Sequence, residues 1–187
     1  SAVFRKTEVR GCVMDEFTLS ICQSSPQSGE QVLEPVTQTF DEWSELFCTP
    51  QIGDKHGSYF LRGSATRRSN DDLKLADVAI LDADSSIDPE TGELFQGAPA
   101  PIHVHEVLKQ HDIQHLIYTS HSHGTKGNRY RVVVPVKLKG KEELAAVTDW
   151  LIQLCHAEGV WLANATENCT WSQPWYLPRI PVENHDV

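Results

Sequence analysis

The alternation of apolar and polar positions predicts strands and helices most clearly in the second half of the chain. Residues 78–81 form a continuous apolar run of strand length, and residues 130–138 (YRVVVPVKL) form a second one. Apolar residues recur at helical spacing over 102–111 and 141–157. Pro135 lies inside the second strand, and because proline cannot donate a ladder hydrogen bond, it predicts an edge position or a bulge.

Shorter signals predict the remaining elements. Residues 1–25 contain two apolar stretches that predict a hairpin or irregular strands, and residues 39–42 (TFDE) are a capping box that begins a helix. Residues 59–62 and 115–119 predict short strands, whereas the turn residues of 85–101 predict a connecting loop. This order predicts an α+β domain with a mostly antiparallel sheet. Helices are expected on one face, leaving the other face free for a site.

Size and charge limit the possible functions. A chain of 187 residues is long enough for one domain with a core. A net charge of −10 at pH 7 excludes a broadly basic surface that coats DNA, so any contact with nucleic acid or nucleotides must be local. The five cysteines include no CxxC pair, so we expect no structural zinc site.

The expected location is the cytoplasm, with no membrane partner. No apolar run reaches the ~20 residues that a membrane helix needs, and no signal peptide opens the sequence. Because the chain begins with Ser1 and its single methionine is Met14, we expect a domain excised from a larger protein.

Asp82 and Asp84 end the first apolar strand and are the most informative candidate site. Side chains at i and i+2 of a strand lie on one face, so the two carboxylates repel each other unless a cation lies between them. A divalent metal, an arginine or solvent would relieve this repulsion, and oxygen ligands favour Mg²⁺ or Mn²⁺ if the cation is a metal. Two carboxylates can hold two metals ~4 Å apart, an arrangement suited to phosphoryl displacement.

Two pairs of histidines are each separated by one residue. His121 and His123 follow the strand predicted at 115–119, and they are polar surface groups, a transition-metal pair or donors to a phosphate. His103 and His105 form a His-hydrophobe-His sequence, which rolling-circle nickases use to bind a metal. Side chains at i and i+2 of a helix diverge by about 200°, so we do not expect this helical pair to share one metal.

Basic residues form two further groups. Arg129 directly precedes the strand at 130–138, and in an extended strand Arg129 and Arg131 share one face with Val133, where two adjacent guanidiniums need anions. A triphosphate, a nucleic-acid backbone or the carboxylates of the acidic strand would supply those anions. Arg67 and Arg68, with Lys55 upstream, lie in polar, glycine-containing surroundings, where they either close over phosphates or form a solvated basic loop.

Taken in order, these segments resemble the archaeo-eukaryotic primase superfamily, especially the primase-polymerase domains of phages and plasmids. The resemblance runs from about residue 39 to residue 178. It rests on the segments TFDEWSELF, RGSATRRSNDDLKLADVAILDAD, IYTSHSHGTKGNRYRVVVPV and WSQPWYLPRIP. The second ends in a hydrophobic-Asp-x-Asp motif, and the third carries a small residue and a histidine before an arginine-rich strand.

The resemblance implies an RRM-like palm joined to a smaller N-terminal α/β unit, with lobes at about 1–75 and 76–187. It implies a nucleotidyltransferase, a DNA primase or polymerase that uses two divalent metals, Mg²⁺ or Mn²⁺. Asp82 and Asp84 then bind the metals. Glu167 is the implied third acid, as the only acid in the segment LANATENCTWSQPWYLP.

The implied partners are nucleoside triphosphates, a single-stranded or primed DNA template, and a helicase domain on the same chain. The implied contacts with the nucleotide and its phosphates fall on His121, Arg129, Arg131, Arg67, Arg68, Lys55, Ser120 and His123.

Two other functions remain open at this level. A rolling-circle initiator or relaxase needs two histidines on one metal and a tyrosine nucleophile such as Tyr118, Tyr130 or Tyr176, and a covalent 5′-phosphotyrosine adduct would identify it. A non-catalytic nucleotide- or DNA-binding module on the same fold would bind its ligand without incorporating nucleotides at any metal.

Overall fold

The structure is a computed structural model that describes residues 13–28 and 31–182. The first apolar stretch of the predicted N-terminal hairpin lies almost entirely outside these ranges. In chain order the elements are β1 (Glu16–Cys22), β2 (Glu34–Thr39), α1 (Phe40–Cys48), β3 (Gln51–Ile52), β4 (Tyr59–Leu61), β5 (Ala76–Ala83), β6 (Ser85–Ile87), β7 (Leu94–Gln96), α2 (Pro101–Gln110), β8 (Leu116–Thr119), β9 (Tyr130–Leu138), α3 (Lys141–Ala157), a 3₁₀ turn (Thr166–Cys169), β10 (Trp175–Tyr176) and β11 (Arg179–Ile180).

The molecule is mixed α+β with mostly antiparallel sheets, which confirms the predicted class at that level. One sheet has the order β5-β9-β8 and another has the order β10-β4-β1-β2, and both are antiparallel throughout. Because β10 returns from the C-terminal part of the chain to pair with β4, the second sheet contains residues from both predicted lobes.

Two short strand pairs were not expected from the sequence. β6 and β7 form an antiparallel hairpin inside the segment predicted as a connecting loop, so that prediction is wrong for these six residues. Their turn, with Pro and Gly, supplied the loop signal. β3 and β11, each two residues long, pair in parallel and bring the segment after α1 beside the C-terminal part of the chain.

Pro135 occupies a bulge in β9, which is one of its two predicted positions. It lies opposite Val78, next to the register shift between Ala76 and Val78. β9 is the central strand of its sheet, but β8 ends its pairing at Val133, so Pro135 has a neighbouring strand on one side alone. Because β8 does not reach this position, the missing N–H of the proline interrupts no hydrogen bonds between β9 and β8.

The β5-β9-β8 sheet is covered on both faces. Ala79, Leu81 and Val132 pack against the buried side chains of α2 and α3. On the other face, Val78 and Ile80 belong to a second core with residues of α1 and the N-terminal sheet.

The expectation that one face would be free is therefore wrong. The apolar side chains on that face require cover, because leaving them in water costs about 25 cal/mol per Å² of apolar surface. The second core covers Val78, Ile80 and Val133 on this face. Asp82 and Arg131 are the next positions of their strands on the same face, and they line a cleft. Within the described ranges, no helix has both the length and the apolar composition needed to cross a membrane.

The start of α1 shows how a local sequence signal sets an element boundary. Thr39 accepts a hydrogen bond from the Glu42 N–H at 3.3 Å, and the Glu42 carboxylate accepts one from the Thr39 N–H at 2.8 Å. This reciprocal pair is the predicted capping box, and it satisfies donors that the helix itself cannot. α1 then buries Trp43 and Phe47 against the second core.

We expect Thr39→Ala to lower the free energy of unfolding by about 1 kcal/mol, because the helix loses its N-cap acceptor. Urea denaturation followed by circular dichroism measures this change. Glu45→Ala, on the exposed side of the same helix, is the control and should change stability by less than about 0.5 kcal/mol. Equal midpoints for Thr39→Ala and the wild type would contradict the role of the cap.

Candidate functional site

The pairing of β5 with β9 brings the predicted acids and arginines together. Asp82 lies opposite Arg131 in the register, and its carboxylate accepts a hydrogen bond from the Arg131 Nε at 3.1 Å. The Arg129 Nη1 lies 3.7 Å from a carboxylate oxygen of Asp84. Of the three partners considered for the acidic pair, a divalent metal, an arginine and solvent, the protein itself therefore supplies arginine.

These four side chains line one cleft with a volume of about 200 Å³. The cleft also contains Lys55, Ser120 and His121, so most of the residues predicted for phosphate contacts converge on the acidic pair. The full lining is Lys55, Asp82, Asp84, Tyr118, Thr119, Ser120, His121, Ser122, Arg129, Arg131, Tyr176, Leu177 and Arg179.

His121 is fixed at the mouth of this cleft by the segment after β3. Its Nε2 lies 3.1 Å from the Gly53 carbonyl oxygen, which can only accept a hydrogen bond, so Nε2 carries the proton and donates. The Nδ1 atom then remains for a second interaction. In the protonated imidazolium, both nitrogens are donors, which suits an anionic oxygen.

Four of the predicted site residues lie outside the lining of the cleft. His123 accepts a hydrogen bond from the Arg129 N–H through Nδ1 at 3.0 Å, so it holds the turn that presents Arg129. Arg67 and Arg68 are exposed, on the segment between β4 and β5, where the Arg67 N–H donates to Asp72. Glu167 is exposed on the 3₁₀ turn.

Glu167 nevertheless acts electrostatically on Asp82. Burial raises the pKa of Asp82 above its usual value, the guanidinium of Arg131 opposes that rise, and the carboxylates of Asp84 and Glu167 add to it. The negative charges of Asp84 and Glu167 thus make the ionised form of Asp82 less favourable, and a cation near Asp82 would oppose this effect.

Arg131 is held between charges and aromatic rings. Burial lowers its pKa, but the Tyr118 hydroxyl and the Asp82 carboxylate more than offset this effect, and the net pKa lies above its usual value. Its guanidinium carbon lies 5.4 Å from the centre of the Trp175 ring and 5.9 Å from that of Tyr118. Arg131 is thus a permanent, well-fixed positive charge at the base of the cleft.

Arg179 is a cleft residue that the sequence did not indicate. It is the first residue of β11, and its Nη1 donates to the Asp54 carbonyl at 2.9 Å. A Cβ atom at Gly57 would collide with the Arg179 guanidinium, so glycine at this position gives the arginine its space. Glycines on either side of Lys55 were the available signal, but nothing in the sequence relates them to residue 179.

Asp82 and Asp84 could supply part of the ligand set of a magnesium-like cation. Among the described residues, no group of three or more His, Cys, Asp and Glu side chains is arranged to hold a metal by itself. Mg²⁺, however, commonly uses one or two carboxylates and completes its shell with water and phosphate oxygens. The oxygens of Asp82 and Asp84, in a cleft with several cations for phosphate, fit that donor set.

The geometry does not favour a tyrosine nuclease. The Tyr118 and Tyr130 hydroxyls are buried donors to the carbonyls of Tyr176 at 3.0 Å and Pro99 at 2.8 Å. His105 lies 2.9 Å from His115 through Nδ1 and Nε2. The two histidines of the His-hydrophobe-His sequence lie on α2 and do not line the cleft, whereas Tyr176 does.

Comparisons with protein-family models, with curated proteins and with solved structures gave no match for this chain. The chemistry of the cleft is therefore the basis for a functional proposal.

The three acids allow a titration test. We expect the pKa of Asp82 to lie above its usual value of 3.8 in the wild type and to fall in Asp84→Asn and in Glu167→Gln, because each substitution removes a nearby negative charge. Carboxyl ¹³C NMR across the acid range measures it.

Asp149→Asn, on the exposed side of α3, is the matched control and should leave the titration of Asp82 unchanged. A pKa for Asp82 that is the same in all four proteins would contradict the coupling of the three acids.

Proposed function

We propose that this protein is a nucleotidyltransferase of the primase-polymerase type, which adds nucleotides from triphosphates to a nucleic-acid strand on a DNA template. One observation carries the proposal: Asp82 and Asp84 lie in the same cleft as His121, Arg129 and Arg131. Carboxylates for a divalent cation and cationic groups for phosphates are the two components that phosphoryl transfer requires.

The balance of charges in the cleft supports a polyanionic ligand. Lys55, Arg129, Arg131 and Arg179 line the cleft with two carboxylates, before any charge on His121 is counted. The Nε atoms of Arg129 and Arg179 are buried and have no hydrogen-bond partner among the described residues. A triphosphate offers several anionic oxygens to guanidinium groups, and it would offset the excess positive charge.

Binding of a triphosphate would also rearrange the ion pairs. The contact between Arg129 and Asp84 is long at 3.7 Å, and a phosphate oxygen is a stronger partner for that guanidinium. Transfer of Arg129 to the phosphate leaves the Asp84 carboxylate available for a cation. When bound, Mg²⁺ or Mn²⁺ would lower the pKa of the attacking 3′-hydroxyl and offset the charge on the phosphoryl group.

The residues of the cleft then have separate roles. Arg131 stays with Asp82 and limits the negative charge of the acidic pair, while His121 and Lys55, which line the same cleft, contact the phosphates. The β5-β9-β8 sheet, with α2 and α3 on one face, supports the further proposal that this unit corresponds to the palm of the primase superfamily. The overall charge of −10 confines contact with the template to this cationic cleft.

Primer extension and de novo synthesis, each with Mg²⁺ and with Mn²⁺, test the proposal. We expect the wild type to incorporate nucleotides, and Asp82→Asn/Asp84→Asn to lose incorporation by about 100-fold or more, because the cation loses its protein ligands. Asp149→Asn is the matched control for loss of one carboxylate on the surface. Incorporation that survives the double substitution would overturn the mechanism.

A binding module on the same fold is the second candidate, and the position of Glu167 outside the cleft favours it. Titration calorimetry with a non-hydrolysable nucleoside triphosphate separates the two. Nucleotide binding that depends on Arg129 and His121, without incorporation at either metal, would identify the module. A covalent protein–DNA adduct on Tyr176 would instead identify a nicking enzyme.

A further inference from the structure

The 3₁₀ turn is attached to the strand that carries the candidate acids by a single buried side chain. Asn168 is fully buried, and its Oδ1 accepts a hydrogen bond from the Asp82 N–H at 2.7 Å. Its Nδ2 donates to the Oδ1 of Asn164 at 3.0 Å. The β5-β9 ladder places Asp82 near its end, so this bond extends the restraint on the backbone of Asp82 beyond the sheet.

Arg62 holds the same turn from the other side. It follows β4 and is fully buried, and its guanidinium donates to the carbonyls of Trp171 at 3.1 Å and Thr170 at 3.0 Å, with a longer contact of 3.4 Å to that of Asn168. The Arg62 carbonyl in turn accepts from the N–H of Asp77 at 2.7 Å, at the start of β5.

The chemistry of Arg62 indicates a specific task. Within the part of the chain that the structure describes, its hydrogen bonds go to main-chain carbonyls, and its Nη1 has no partner. Burial lowers the pKa of Arg62 to about 10, so the group is still charged at neutral pH. A buried charge without a carboxylate is expensive, and an apolar side chain would fill the same space at lower cost. Unlike an apolar side chain, the guanidinium holds the segment after the turn by hydrogen bonds to its main-chain carbonyls.

The attached turn is the one that carries Glu167. Glu167 immediately precedes Asn168 on this turn, and its side chain is exposed. The hydrogen bond from the Asp82 N–H to Asn168 therefore fixes this turn against the strand that carries Asp82.

We propose that Asn168 and Arg62 are positioning residues that hold the segment 166–171 against the end of β5 and fix the backbone at Asp82, so that the Asp82 carboxylate is held in a fixed position beside Asp84 for a divalent cation. Neither residue is among those lining the cleft. The catalytic consequence rests on the proposed nucleotidyltransferase function, whereas the attachment itself and its effect on cation binding do not.

Amide hydrogen exchange measured by NMR tests the attachment. In the wild type, we expect slow exchange at the Asp82 N–H, because its acceptor is a buried side chain. Asn168→Ala should raise that rate about tenfold or more, since the acceptor is lost. Asn168→Asp keeps an oxygen in place and should retain the protection. Asn164→Ala removes only the outer partner of Asn168 and is the matched control.

Binding of Mn²⁺ alone, followed by electron paramagnetic resonance, tests the consequence for the cation. We expect Asn168→Ala and Arg62→Met to weaken Mn²⁺ binding about tenfold or more, because the residues that orient a metal ligand typically have effects of this size. Asn164→Ala should bind Mn²⁺ as the wild type does. In nucleotide incorporation, the first two variants should lose kcat with little change in KM for the nucleotide.

Three outcomes would overturn the proposal. One is fast exchange of the Asp82 N–H in the wild type, which needs no variant and so applies even if the substitutions prevent folding. Another is unchanged protection of that N–H in Asn168→Ala. The third is an Mn²⁺ affinity that is absent in the wild type or the same in Asn168→Ala. A wild type that incorporates no nucleotide but passes these tests would refute the proposed function while leaving the attachment established.

Discussion

The antiparallel register that sets Asp82 opposite Arg131 is the constraint on which the rest of the structure depends. A one-residue slip of β5 against β9 would turn every side chain to the other face. Asp82 would then enter the core beneath α2 and α3, and Arg131 would lose its carboxylate. The apolar residues that precede Asp82 and follow Arg131 prevent such a slip, because both faces of the sheet are buried. The packing of the hydrophobic core therefore determines the position of the polar cleft.

The same pairing offsets part of the cost of placing a carboxylate in the cleft. Taking a carboxylate out of water is costly, and a neighbouring guanidinium reduces that cost when it also donates a hydrogen bond. Asp82 and Arg131 meet this condition, with both side chains mostly shielded. Asp84 and Arg129 are farther apart and more exposed, so this is the pair that a ligand can separate at lower cost. The cleft therefore combines one fixed ion pair with one exchangeable ion pair.

The sequence predicted those elements whose signals are local. The capping box at Thr39, the apolar runs of β5 and β9 and the helical stripe of α3 each lie within one segment, and the structure has them where they were expected. The clustering of candidate site residues could be predicted because several of them fall at the ends of two of these strands. What could not be predicted depends on pairing between distant segments. Two-residue strands such as β3 and β11 carry no periodicity, so nothing pointed to Arg179 as a cleft residue.

The return of β10 to the N-terminal sheet has a consequence for how the protein is made. Trp175 pairs with Phe60 and presents its ring to Arg131, and the next residues, Tyr176 and Leu177, line the cleft, so part of the site comes from a segment far from β4 in the sequence. During synthesis, β4 remains an unpaired edge strand of the N-terminal sheet until the segment that contains β10 leaves the ribosome. Contacts of such long sequence separation also slow folding. The nascent chain therefore passes through a stage in which its core strands exist and its cleft does not, a stage at which chaperones would have most to protect.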